Sequence, residues 1–94
     1  MTDPFLNRAR QMREKIKEAL LNEWDPIGVK GIPGAESEYD GYVPAISEML
    51  SQQKTKDDLF KYLWWAETEH MGLTGDRQAT SAFADRLLLL SGEI

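Results

Sequence analysis

Glu67-Thr68-Glu69-His70 holds a Glu-x-x-His pair. That i,i+3 spacing supplies half of a carboxylate-bridged dimetal centre in some helical bundles. A full centre takes two such pairs and two further glutamates. The chain has one histidine, so a single copy cannot build it and only a symmetric dimer could. His70 is more simply read as a helix C-terminal residue, where a protonated imidazole suits the negative end of the dipole. Gly28-x-x-Gly31-x-x-Gly34 has no preceding strand and no following Lys-Ser/Thr, so it reads as turn chemistry around Pro33 rather than a phosphate loop. Cysteine is absent, which excludes disulfides and thiolate metal sites and fits a reducing compartment. No Ser–His–acid arrangement is legible. The residues therefore assign no catalytic group, no metal ligand and no cofactor, and the expectation is that the protein is not an enzyme. The runner-up is a small metal-dependent or carboxylate-based enzyme centred on Glu67 and His70.

Binding chemistry is better represented. In Glu36-Ser37-Glu38-Tyr39-Asp40-Gly41-Tyr42, two tyrosines stand among three carboxylates. Helix-start chemistry accounts for Asp40, and Tyr42 reads equally as a core residue, but Glu36 and Glu38 are left unexplained. Rings that offer area and acids that steer suit a basic ligand. Trp64-Trp65 adds a second signal, because adjacent helical residues point about 100° apart and cannot both be central in one stripe. One belongs to the core; the other covers the end of a neighbouring helix or anchors a partner. The candidate partner-binding residues are Glu36, Glu38, Tyr39, Asp40, Tyr42 and Trp65. A net charge of −5 repels nucleic-acid phosphates and favours a basic protein partner.

These residues need elements to hold them. Ninety-four residues make one domain, 1–94, with a single core. Asp3 and Pro4 suit the cap and first position of a first helix. Phe5, Ala9, Met12, Ile16, Ala19 or Leu20, and Glu23 or Trp24 follow at helical spacing on one stripe. Pro26 ends that helix. The stretch from Trp24 to Tyr42 is glycine- and proline-rich and long for a connection, and its aromatics argue that it is ordered. A second helix is expected over roughly 41–52 with Pro44 in its first turn, and a third from about Lys56 to Met71, capped by Thr55 and stopped at Gly72. A fourth starts at Thr74 or Asp76 and runs through Leu90, with Ala79, Phe83, Leu87 and Leu90 inward and Gly92 closing it. The expectation is an all-α, single-domain array or bundle of four helices with a long ordered loop between the first two. Trp24, Ile46, Leu63, Trp64, Phe83 and Leu87 are placed in its core.

The opening MTDPFLNRARQ lacks a basic end followed by an apolar run, and apolar runs such as Leu87 to Leu90 are far short of the roughly 20 residues that span a bilayer. A cytoplasmic protein with no membrane partner is expected. Trp24-Asp25-Pro26-Ile27-Gly28-Val29, Glu38-Tyr39-Asp40-Gly41-Tyr42 and Ala66-Glu67-Thr68-Glu69-His70-Met71-Gly72 together resemble a group of small bacterial proteins of unknown function, the YugE-like family. The resemblance implies an array of four helices and carries no catalytic residues. Size and charge also suggest, by analogy, an immunity protein or antitoxin-type inhibitor of a basic, nuclease-like toxin. A third reading is a homo-oligomeric structural module with Trp65 as the self-contact.

Overall fold

The computed structural model describes residues 4–93, with side chains from Asn7 to Gly92. Asp3 and the side chain of Phe5 lie outside the described residues. Four helices form in chain order: α1 (Pro4–Ala19), α2 (Val43–Ser51), α3 (Lys56–Trp65) and α4 (Arg77–Glu93), and no strand occurs among the described residues. The fold is an all-α, single-domain bundle, as the helical spacing requires. None of these helices is long and apolar enough to cross a membrane.

Two of the helices end in the same unusual way. α1 widens into a π-helical turn, Leu20–Trp24, closed by the Asp25 amide donating to the Leu20 carbonyl at 2.9 Å. α3 widens into another, Ala66–His70, closed by the Met71 amide on the Ala66 carbonyl at 2.9 Å. Such turns are rare and align residues i and i+5. After the first, Asp25 takes a left-handed conformation (φ 35°, ψ 56°) that reverses the chain into the loop. After the second, Gly72 supplies the positive φ that ends the helix.

The other ends follow their residues. A short 3-10 turn, Asp40–Tyr42, leads into α2. Thr55 caps α3, its hydroxyl accepting the Asp58 amide while the Asp58 carboxylate accepts the Thr55 amide. Asp76 caps α4 through the Ala79 amide. Gly92 does not close α4, which runs on to Glu93.

The core draws on every helix: Ile16, Ala19 and Leu20; Val43, Ile46 and Leu50; Leu59 and Leu63; Phe83, Ala84, Leu87 and Leu90. α3 lies against α4, while α1 packs on both α2 and α4. Of the expected core residues, Ile46, Leu63, Phe83 and Leu87 are buried. Trp24 and Trp64 are only half-buried, Trp24 packed against the core and Trp64 outside that cluster. Trp24 lies there because its ring stacks on Phe83 while its N–H needs a polar acceptor. Trp64 instead stacks on Phe60 at the surface of α3, with the Arg77 guanidinium over both rings. Ala79 is exposed, and Thr80 takes the inward place read for it.

Candidate functional site

Asp25 organises the loop. Its Oδ1 accepts the Val29 amide at 2.8 Å and the Tyr39 hydroxyl at 2.7 Å, and its Oδ2 accepts the Lys30 amide at 3.0 Å. The Tyr39 oxygen in turn accepts the Ile27 amide at 3.0 Å. Burial pushes the Asp25 carboxyl up, but these hydrogen bonds outweigh it and hold the group below its ordinary range. Burial, then the Asp25 hydrogen bond, pushes the Tyr39 phenol well above its ordinary value, so it stays a donor. Between these anchors run two successive turns, with the Ile32 amide on the Val29 carbonyl and the Ala35 amide on the Ile32 carbonyl. Gly31 and Gly34 occupy their third positions at φ 82° and 88°, where an L side chain is strained, and Pro33 fits the second position of the latter. The loop is ordered by its own hydrogen bonds.

This fixes where the candidate residues stand. Tyr39 is 2% exposed and packs against Trp24. That corrects its reading as a contact residue, because its hydroxyl is drawn inward by Asp25 and its ring is part of the core. Glu36 and Glu38 are exposed. Glu36 borders a shallow hollow of about 200 Å³ on the loop's flank, together with Leu21, Val29 and Ile32. Glu38 stands near enough for its charge to act on both Tyr39 and Tyr42. Asp40 forms an ion pair with Lys17 at 3.5 Å, tying the 3-10 turn to α1.

Tyr42 and Trp65, far apart in sequence, meet through His70. The Tyr42 hydroxyl lies 2.7 Å from His70 Nδ1, and the two rings meet edge to face. The His70 ring stacks on Trp65 with centroids 5.3 Å apart and planes 15° apart. On α3, Tyr62 adds a tilted contact to Trp65 at 5.8 Å. The π-helical turn is what makes this strip, because it sets residue i+5 over residue i. His70 stands in the last turn of its helix, as read, and is engaged there by Tyr42 and Trp65. Trp65 remains 46% exposed and His70 is exposed, so the strip Tyr42–His70–Trp65–Tyr62 is a surface feature with Glu38 and Glu69 beside it. Burial and then the Glu38 charge raise the Tyr42 phenol above its ordinary value.

Glu67 behaves differently from its neighbours. It is buried, accepts the Trp24 indole N–H at 2.5 Å, and accepts the Thr80 hydroxyl at 2.7 Å. The three groups come from the two π-helical turns and α4, and they close one side of the core. Glu67 also borders a cleft of about 180 Å³ with Trp24, Gly75 and Asp76. Glu67 faces inward and His70 faces Tyr42, so the Glu-x-x-His pair does not converge on one point. A π-helical turn superposes neither i and i+3 nor their side chains. No group of three or more His, Asp or Glu among the described residues is placed to hold a metal ion.

Sequence reading found Tyr42 and Trp65 but not Tyr62 and His70 as members of the same strip. The i−3 spacing of Tyr62 from Trp65 was a usable signal; the i+5 spacing of His70 was not, since nothing in the residues announces a π-helical turn. No protein-family model, curated protein or solved structure matches this chain.

Proposed function

We propose that the chain is a non-catalytic protein-binding module for a basic partner, of the immunity-protein or antitoxin type. The observation that carries this reading is the exposed strip Tyr42–His70–Trp65, held in place by hydrogen bonding and stacking and bordered by Glu38 and Glu69. Large rings that stay ordered at a surface lose little side-chain freedom on binding, and tryptophan truncations at interfaces often cost about 2 kcal/mol or more. Glu36, Glu38 and Glu69 steer a cationic surface toward the strip, which makes association fast and salt-sensitive. Tyr39 contributes indirectly by holding the loop that presents Glu38. Against a nuclease-like toxin, covering the cationic cleft blocks phosphate entry without chemistry by this chain.

The reading is tested by capturing partners from native cell extract with the parent chain, Trp65→Ala and Glu36→Lys/Glu38→Lys. A basic protein retained by the parent, released by added salt and lost with both variants supports it. Capture that is indifferent to both variants at unchanged melting temperature contradicts it.

A further inference from the structure

α3 carries two aromatic sets on adjacent faces, and one of them is already occupied by an arginine of this chain. Phe60 and Trp64 stack with centroids 5.8 Å apart and planes 12° apart. The Arg77 guanidinium lies over both rings, 5.2 Å from the Trp64 centroid and 5.8 Å from that of Phe60. Gly75 lets the chain bring Arg77 there, because a Cβ at that position would stand 2.8 Å from the Trp64 ring. In the second set, His70 stacks near-parallel on Trp65 and Tyr62 meets it at a tilt of 30°, yet Trp65 remains 46% exposed with no cation over it among the described residues.

The two sets share a hollow of about 430 Å³ whose lining includes Trp64, Trp65, Thr68 and Glu69. Its other charged groups are accounted for: Lys61 pairs with Asp57 at 3.0 Å, and Arg77 rests on its rings. Glu69 has no ion-pair partner among the described residues. The lining carries two acids and two bases, and Glu69 is the carboxylate left without an ion pair among the described residues, so a cation on the Trp65 side meets an available acceptor. A planar guanidinium stacks on an indole while donating to a carboxylate; an ammonium does the second but stacks poorly.

Resting on the basic-partner reading above, we infer that Trp65 and Glu69 form a receptor for an arginine side chain of the partner, repeating outside the molecule the contact that Arg77 makes within it. The arginine lies along the exposed indole of Trp65 and donates to the Glu69 carboxylate, with His70 backing the indole.

The test titrates the full chain with hexa-arginine and, separately, hexa-lysine peptides at matched ionic strength, following the three indole N–H resonances and the backbone amides by NMR. Hexa-arginine is expected to bind about fivefold more tightly than hexa-lysine and to move the Trp65 resonance, with Trp24, bonded to Glu67, as internal reference. Glu69→Gln and Trp65→Leu should each abolish that preference. Equal binding of the two peptides, with shifts at Glu36 and Glu38, would overturn the arginine receptor and leave the basic-partner reading standing. Binding of neither peptide overturns both.

Discussion

The Tyr39 hydroxyl donates to Asp25 Oδ1 at 2.7 Å and accepts the Ile27 amide at 3.0 Å, closing the loop from both of its ends. Removing only that oxygen, by Tyr39→Phe, leaves the Ile27 amide and one Asp25 lone pair unsatisfied in a half-buried place. The expected cost is about 1–2 kcal/mol in urea unfolding. Hydrogen exchange should quicken at the Ile27 and Val29 amides before the helices respond. A variant with parental stability and loop exchange would show that the bond does not hold the loop.

The same pair sets a pH dependence at both extremes. The Asp25 carboxyl titrates below its ordinary value of 3.8 in the fold. Its stabilisation is therefore complete above that value and is lost as pH falls through the lower folded value. The Tyr39 phenol is raised from its ordinary 10.0, so its contribution is complete below that value and fades as pH rises beyond it. Melting temperatures recorded from about pH 5 to about pH 2 should fall less steeply for Asp25→Asn than for the parent. Parallel curves would contradict this assignment.

Glu67 joins three segments through Trp24 and Thr80. Trp24→Phe keeps most of the ring and removes the N–H, and should cost about 1.5–3 kcal/mol, the range for a bond to a charged group. Thr80→Val removes the other donor at nearly constant volume. Because both leave the same carboxylate short, the double variant should depart from additivity by at least about 0.5 kcal/mol. Additive costs would mean that the two bonds act separately.

Gly75 has φ 82°, and a Cβ there would meet the Trp64 ring at 2.8 Å. Gly75→Ala should therefore destabilise by more than about 1 kcal/mol and shift Trp64 emission as Arg77 moves off its platform. Gly92 gives the contrast, since it lies within α4 with open space around it. Gly92→Ala should be neutral or stabilise by a few tenths of a kcal/mol, less than the roughly 0.5–1 kcal/mol of a mid-helix site. Equal effects at the two positions would refute both arguments.

Helical spacing was enough to place Ile46, Leu63, Phe83 and Leu87 inside, and Thr55 with Asp58 announced the start of α3. Pro33-Gly34 announced its turn in the same local way. What stayed illegible depends on partners distant in sequence. Tyr39 is buried because its hydroxyl reaches Asp25, fourteen residues back. Thr80 displaces Ala79 from the inner face because Glu67 needs a donor there. The meeting of Tyr42 with Trp65 depends on a π-helical turn, whose single extra residue leaves no mark in an apolar pattern of helical period.

The most direct test of the binding face is site-specific photo-crosslinking in the native cell. A photoreactive residue replaces Lys61, which lines the same hollow as Trp65, in one variant and Gln11, on the exposed side of α1, in another. A discrete adduct with a basic protein is expected from position 61, reduced strongly by an added Trp65→Ala, and none from position 11. An adduct from position 11 alone, or one at position 61 that Trp65→Ala leaves unchanged, would contradict the binding face.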